Sequence, residues 1–173
     1  GIFEMRPFFW KNKKKIPVYG SIRTIKSLVS THTFCFLPKH GYTPIMKANI
    51  IKNKFKIIKK NNTLSVRGFD VIHGMIKATG YLFEKIAYIS DCNKIPQKSL
   101  KYLYGLDYLI LDCLKMNKHP SHFNYYDALE LAKNVRPKKT ILTNLHTDLD
   151  YDYLKKKLPP NIFPAYDGLS FNF

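Results

Sequence analysis

The sequence predicts a single layered α/β domain. Short apolar runs of strand length alternate with amphipathic stretches of helical period, which is the pattern of a sheet packed against helices. Of the 173 residues, 45% are hydrophobic and 14% aromatic, so the chain can bury a core and is not expected to be disordered. No apolar run approaches the roughly 18 residues that cross a bilayer, and no signal peptide is apparent. We therefore expect one soluble, cytoplasmic domain over residues 1–173 with no membrane partner.

Strands dominate the predicted elements of the first half of the chain. Two apolar runs on either side of an Asn-rich turn predict a hairpin, and later strands stop at polar residues, one at His73 and another at Asp91. The predicted strands of this half cover 33–37, 55–58, 64–66, 69–72, 79–83 and 86–90.

Helical periodicity becomes prominent after Asp91. Pro96 favours the first turn of a short helix, and the nearly all-apolar run over 107–112 is typical of a strand that is buried on both faces. Asp150 is a suitable N-cap for the last helix. The predicted helices cover 96–104, 127–136 and 150–157, and the predicted strands cover 107–112 and 140–146.

The charge and cysteine counts restrict the function classes. The formal net charge is +17, and residues 1–90 carry 17 basic against 3 acidic side chains. Such an excess favours a phosphate-bearing partner, but almost all of it is Lys, interleaved with Ile and Asn, and compositional drift explains it equally well. The three cysteines form no CxxC pair, so neither a disulfide framework nor a structural zinc knot is predicted.

Titratable side chains follow the predicted strands. His73, Asp91, Asp112 and His146 stand at or just past strand ends, and His122 lies in the loop after another strand. The ends of strands in layered α/β folds meet at one edge, where sites are built. His and Asp are ligands for zinc, manganese or iron, so the pattern favours a metal site. Each residue alone is also explained by a half-buried His or by an Asp that caps a turn or helix.

Six short motifs are spread along the chain. They are Gly-Phe-Asp-Val-Ile-His-Gly at 68–74, Tyr-Ile-Ser-Asp at 88–91, Leu-Ile-Leu-Asp-Cys at 109–113, His-Pro-Ser-His-Phe at 119–123, Leu-Thr-Asn-Leu-His at 142–146 and Ala-Tyr-Asp-Gly-Leu at 165–169. In order and spacing this series resembles the metallo-β-lactamase-fold hydrolases, and most of all the branch with the cyclic phosphodiesterase of the carbon–phosphorus lyase pathway. The resemblance covers nearly the whole chain. It implies an αββα sandwich with two metal ions between its sheets, zinc or manganese, and a bridging hydroxide that attacks a phosphodiester.

The resemblance also implies roles for individual residues. His73 matches a histidine ligand, Asp91 matches the aspartate that bridges both metals, and His122 matches a histidine that assists the leaving group. The family usually carries His directly after Leu-Thr, where this chain has Asn144. Because side chains two apart on a strand share a face, we assign the last ligand role to His146.

Alternatives remain for several of these residues. Asp91 and His122 could each cap a following helix, and His119 is assigned to the loop surface. Asp112 is expected either to orient a ligand histidine or to be a buried turn residue.

The family's defining His-x-His-x-Asp-His motif is absent from the 173 residues. Within the resemblance, the chain is expected to be the N-terminally truncated, C-terminal two-thirds of the hydrolase, with an incomplete ligand set and no activity on its own. Three functions follow: a phosphodiesterase of small cyclic or nucleotide-like substrates, an RNA-processing nuclease resembling ribonuclease Z, or a non-catalytic remnant. The expected partner is a small phosphodiester, with nucleic acid as the alternative, and the chain could form a homodimer.

Overall fold

The computed structural model describes residues 1–38, 40–59 and 62–171, and the chain divides into two compact units, Gly1–Lys52 and Asn53–Phe173. The prediction of one domain over the whole chain stays a prediction. Among the described residues, no helix combines the length and the apolar character that crossing a membrane requires.

The first unit is a small α/β arrangement. A 3-10 turn over Ile2–Met5 leads into α1, and the two parallel strands β1 and β2 pair from Ile16↔Met46 to Gly20↔Ile50. A cluster of buried residues that includes Cys35, Phe36 and Ile45 forms its core. The elements are α1 (Arg6–Asn12), β1 (Ile16–Gly20), α2 (Ile22–Thr31), α3 (Thr33–Phe36) and β2 (Met46–Ile50).

The strand predicted over 33–37 is wrong. The segment continues α2 after a break at His32, and its backbone N–H groups donate back into helical turns, from Cys35 to His32 and from Leu37 to Thr33. Cys35 and Phe36 are buried in the core of the first unit, and Phe34 packs against it. A short apolar run is consistent with either a buried strand or a buried helix turn, and only packing distinguishes them.

The second unit contains a seven-stranded mixed sheet in the order β3-β4-β5-β6-β7-β8-β9 within the described residues. Strands β3 to β6 pair antiparallel, and β6 to β9 pair parallel. The strands are β3 (Lys54–Lys59), β4 (Asn62–His73), β5 (Ile76–Phe83), β6 (Ile86–Ile89), β7 (Tyr108–Asp112), β8 (Lys139–Thr143) and β9 (Ile162–Pro164), and the helices are α4 (Gln97–Leu100), α5 (Tyr125–Val135) and α6 (Tyr151–Lys157).

Most predicted elements of this unit are confirmed. The hairpin of β3 and β4 forms, although its turn at 60–61 lies outside the described residues, and the strand predicted over 69–72 is the second half of β4. Helix α5 begins at an Asn124 cap and buries Ala128, Ala132 and Val135, which share one face by spacing. The strand predicted over 140–146 ends at Thr143. The fold as a whole is the predicted α/β class with a mixed sheet and helices.

Candidate metal centre

Strand direction brings the predicted residues to one edge of the sheet. Strand β5 runs antiparallel to both β4 and β6, so β4 has the same direction as the parallel strands β6 to β8. The carboxyl ends of these four strands therefore lie at the same edge. His73 is the last residue of β4, Asp112 is the last of β7, and Asp91 and Asn144 follow β6 and β8.

The chain after Asp91 folds back along the end of β4. Ile72 donates its N–H to the carbonyl of Lys94 at 2.9 Å and accepts from the N–H of Asn93 at 2.8 Å. The Asn93 side chain then accepts from the N–H of Gly74, in the hairpin turn after β4, at 3.0 Å. These bonds fix His73 beside the segment that begins at Asp91, although 18 residues separate the two in sequence.

Gly74 is required at this turn for two reasons. Its φ of +60° lies in the left-handed region that side chains other than glycine disfavour. A Cβ atom there would lie 3.2 Å from the Cβ of Ser121, in the loop that carries His122. A larger residue would therefore push the hairpin turn away from that loop.

The loop that carries His122 is anchored by backbone hydrogen bonds. Phe123 donates its N–H to the carbonyl of Cys92 at 2.6 Å, and Leu114 donates to the carbonyl of Phe123 at 2.9 Å. The side-chain amide of Asn93 donates to the carbonyl of Pro120 at 2.9 Å. Asn93 thus connects the loop to the Gly74 turn, a role that sequence inspection missed because a single Asn carries no motif.

Three potential ligands converge at this edge. One ligand atom from each of His73, Asp91 and His122 lies within 4.8 Å of the others. The Nε2 atoms of His73 and His122 are 3.1 Å apart. Two nitrogen ligands of one tetrahedral zinc ion lie about 3.3 Å apart, given bonds of about 2.0 Å. The two imidazoles therefore fit one divalent ion in spacing, and the nearby Asp91 carboxylate is a ligand type that such an ion takes.

Asp112 orients His122. The Asp112 carboxylate is buried, and its Oδ2 lies 2.8 Å from His122 Nδ1. Burial raises the pKa of Asp112, while hydrogen bonds from the Cys92 N–H to Oδ2, the Asn144 amide to Oδ1 and the His122 ring act in the opposite direction. An ionised carboxylate has no proton to donate, so His122 Nδ1 is the donor in this bond and its Nε2 presents a lone pair to the cluster. Of the two predictions for Asp112, the structure supports the orienting role.

His146 lies apart from this group. Strand β8 ends at Thr143, and Asn144 has a φ of +62°. The alternation of side chains along a strand, from which His146 is predicted to be a ligand, therefore does not extend to residue 146. The His146 side chain is 51% exposed, and its Nδ1 lies 3.0 Å from the carboxylate of Asp148. The group of His73, Asp91 and His122 does not include it, and its ligand role stays a prediction.

Asn144 and His119 also lie close to the group. The side chain of Asn144 donates to the carboxylate of Asp112 at 3.1 Å. His119 is half-buried in this loop, and its ring centroid is 5.1 Å from that of His122. Its assignment to the loop surface stays a prediction. The spacing of two histidines in one loop, His119 and His122, was the sequence signal for this neighbourhood.

The comparison with protein families identifies the group to which this chain belongs. The sequence model described as the beta-lactamase superfamily domain matches residues 1–144. The chain belongs to this family. Its α/β fold, with strand ends that converge on a His and Asp cluster, agrees with the metallo-β-lactamase architecture, so the predicted fold class is confirmed.

Solved structures of the same fold resemble the chain over nearly its full length. A diphosphatase from the PhnP family is 27% identical with a TM-score of 0.85, over 98% of this chain and 63% of that chain. The zinc-bound PqqB of Methylobacterium extorquens is 14% identical with a TM-score of 0.67, over 92% of this chain and 65% of that one. The short form of human tRNase Z is 18% identical with a TM-score of 0.55, over 90% of this chain and 67% of that chain. The last two likenesses show the fold alone.

A curated relative is a much longer protein. An octanoyltransferase from Porphyromonas gingivalis is 25% identical over 174 residues, which are 98% of this chain and 34% of that protein. The chain therefore spans about a third of this relative and less than two thirds of the PhnP-family diphosphatase.

Proposed function

We propose that this chain is part of a metal-dependent hydrolase of a small cyclic or nucleotide-like phosphodiester. The observation that carries the proposal is the group of His73, Asp91 and His122, whose ligand atoms lie within 4.8 Å of one another at the edge of the sheet. The 27% identity to a diphosphatase of the PhnP family supports phosphoester chemistry. The formal net charge of +17 is compatible with an anionic substrate.

The residues of the group, His73, Asp91 and His122, have different roles in the proposed site. His73 and Asp91 would hold a divalent ion, zinc or manganese, and His122 would direct Nε2 toward it because Asp112 holds Nδ1. When bound, such an ion supplies a water of lowered pKa and neutralises charge on the phosphate. The role of His122 in assisting the leaving group is the alternative within this proposal, since a proton on Nε2 would replace the lone pair that binds the ion.

The proposal extends to a second ion in the intact protein. Three donor atoms satisfy the coordination of one tetrahedral ion apart from the position left for water or substrate. In the part of the chain that the structure describes, His73, Asp91 and His122 form the group of this kind. The resemblance to the cyclic-phosphodiesterase branch implies that a His-x-His-x-Asp-His segment, which these 173 residues lack, supplies the further ligands.

The direct test is hydrolysis of bis(4-nitrophenyl) phosphate by the full-length protein, stripped of metal and reloaded with manganese or zinc. We expect turnover that requires the metal, and a loss of at least about 100-fold in His73→Ala, since a metal ligand is removed. His40→Asn serves as the control because His40 is exposed and its left-handed backbone accepts Asn. Absence of turnover with either metal, or full activity in His73→Ala, would contradict the proposal.

The basic excess of residues 1–90 favours a second candidate, an RNA-processing nuclease of the same fold. Binding through phosphate contacts weakens steeply as salt increases because counterions are released. The test is the affinity for a structured RNA at about 50 and 200 mM salt, a range over which several phosphate contacts cost orders of magnitude. Tight, salt-dependent RNA binding supports this candidate, whereas salt-independent turnover of a small diester without RNA binding supports the first.

A further inference from the structure

Two histidines of one loop, His119 and His122, make hydrogen bonds of opposite direction at Nδ1. In each ring, Nδ1 is engaged by a neighbouring group of this chain. The chemistry of that neighbour fixes which nitrogen of the neutral ring carries the proton. The neighbour is the Asp112 carboxylate for His122 and the Ser121 backbone N–H for His119. One ring therefore presents a lone pair at Nε2 and the other presents an N–H.

His122 presents a lone pair. Its Nδ1 faces the buried carboxylate of Asp112 at 2.8 Å, and an ionised carboxylate has no proton to donate, so it accepts this bond. The proton of the neutral ring is therefore on Nδ1. The Nε2 atom, 3.1 Å from that of His73, is then an acceptor or a ligand.

His119 presents an N–H. The backbone N–H of Ser121 points at its Nδ1 with a distance of 3.4 Å, and the Ser121 hydroxyl lies 3.3 Å from the same atom. A backbone N–H can only donate, so Nδ1 of His119 accepts and the proton of the neutral ring is on Nε2. Within the described parts of the chain, this Nε2 has no hydrogen-bond partner, because both contacts of the ring are made through Nδ1.

The position of His119 makes this N–H available beside the metal centre. Its ring is half-buried and its centroid is 5.1 Å from that of His122, which in turn is 4.6 Å from that of His73. The loop cannot easily move away because Pro120 accepts from Asn93. With an ion bound, both imidazoles and the carboxylate of the centre would direct lone pairs or negative charge at that ion, so an anionic ester needs another nearby donor for its oxygens.

We propose that the Nε2–H of His119 donates a hydrogen bond to an anionic oxygen of the bound phosphoester, beside His122. The inference rests on the proposed function for the class of substrate. It makes His119 a substrate-binding residue, and Ser121 a positioning residue that fixes the His119 tautomer.

Long-range ¹H–¹⁵N correlation spectra of the full-length protein at about pH 8, where unperturbed histidines are neutral, test the tautomers. We expect His119 with its proton on Nε2 and His122 with its proton on Nδ1. In Ser121→Gly, the hydroxyl is removed while the backbone N–H remains, so His119 should keep this tautomer. A His119 ring with its proton on Nδ1 in the unaltered protein would overturn the proposal.

The pair His119→Gln and His119→Met tests the donor itself. The two replacements have similar length and volume, but only Gln provides an N–H near the position of Nε2. For inorganic phosphate binding to the metal-loaded full-length protein, measured by calorimetry, we expect about tenfold weaker binding in His119→Met and near-complete rescue in His119→Gln. For bis(4-nitrophenyl) phosphate, kcat/KM should fall by about 100-fold in His119→Met, as for other oxyanion donors.

The outcomes separate this proposal from the proposed function. Phosphate binding that depends on the donor, without diester hydrolysis, would support the role of His119 and refute the phosphodiesterase. Equal phosphate affinity in both variants, or no phosphate binding by the unaltered protein, would overturn the role of His119. A loss of bound metal in His119→Met, measured by elemental analysis, would also overturn it, because His119 would then be a ligand.

Discussion

At the scale of single residues, Asp112 determines the geometry of the metal centre. It is fully buried, and it joins the ends of three neighbouring segments through Cys92, His122 and Asn144. Burial of a carboxylate is unfavourable unless its oxygens are hydrogen-bonded. The three donors meet that requirement, and one of them is the ring whose tautomer the site needs.

Asp112→Asn should therefore weaken metal binding. The new amide group places an N–H where a donor already points, so the His122 ring loses the acceptor that fixes its tautomer. We expect about 10- to 100-fold weaker zinc affinity by calorimetry, and a loss of about 1–3 kcal/mol in the free energy of unfolding, measured in urea. Asp152→Asn, at an exposed position of α6, is the control. Unchanged zinc affinity in Asp112→Asn would show that His122 does not depend on this carboxylate.

The exposed position of His146 leads to a second residue-scale prediction. His73 is in the ligand group and His146 is not. We expect His73→Ala to lower zinc affinity by at least tenfold and His146→Ala to lower it by less than threefold, compared by calorimetry on the full-length protein. An equal loss in both variants would restore His146 as a ligand.

At the scale of elements, close packing across β4 and β5 fixes the strand that ends at His73. Gly80 stands opposite Phe69 in the register, and a Cβ atom at Gly80 would lie 2.6 Å from the Phe69 ring. The ring covers the glycine, so the sheet has no room for a methyl group there.

Gly80→Ala should destabilise the sheet. Overpacking of this kind costs about 1–3 kcal/mol because the ring or the strand must shift. The measurement is the free energy of urea unfolding, and Phe69→Leu in the Gly80→Ala background should recover part of the loss by making room. A stability equal to that of the unaltered protein would mean that the Phe69 ring moves at no cost.

Asp70 connects three elements by charge. Its carboxylate on β4 lies 2.9 Å from Lys98 of α4 and 3.3 Å from Lys77 of β5, and the hydrogen bond from Lys98 is the main cause that holds its pKa below the ordinary value. A carboxyl whose pKa is lower in the folded than in the unfolded state stabilises the fold at any pH above the unfolded-state pKa. This contribution is lost as the pH falls through the lowered folded-state pKa.

In Asp70→Asn, the stability should therefore depend less on pH in the acidic range than in the unaltered protein. Between about pH 6 and about pH 2, a range that spans the ordinary carboxyl pKa of about 3.9 and the lowered pKa beneath it, the unaltered protein should lose more of its urea midpoint than the variant does. The difference should be small, because the pair is largely exposed. Identical pH profiles of the two proteins would show that the ion pairs contribute nothing measurable.

At the scale of the whole molecule, a metal that binds only the folded chain must stabilise it. The three donors come from β4, the segment after β6 and the loop before α5, so they are brought together only by folding. Ligand binding of this kind adds about 2.7 kcal/mol at a free concentration 100 times the Kd.

Zinc should therefore raise the unfolding temperature of the full-length protein, and a chelator should lower it. The measurement is thermal unfolding by circular dichroism, with His73→Ala as the variant in which zinc has little effect. A zinc response of the same size in His73→Ala would place the stabilising ion elsewhere.

Part of this molecule could be predicted from sequence because the information is local. Alternating apolar runs predicted β5, β6 and β7, caps and helical spacing predicted α5 and α6, and polar residues after strands predicted His73 and Asp91. The sequence prediction failed where a short apolar segment is compatible with either a strand or a helix turn. Within the run at 33–37, Cys35 and Phe36 are buried, which a helix turn achieves as well as a strand.

The sequence by itself determined the α/β class, the strands from β3 to β8 and the residue types of the candidate site. Only the tertiary structure decided which histidine joins His73 and Asp91, because that depends on where β8 ends and on how the loop of His122 is anchored to Cys92. It also decided the tautomers, since a ring nitrogen carries a proton or a lone pair according to its neighbour in space. Periodicity reports the face of an element, whereas hydrogen bonds between distant segments set the direction of a side chain.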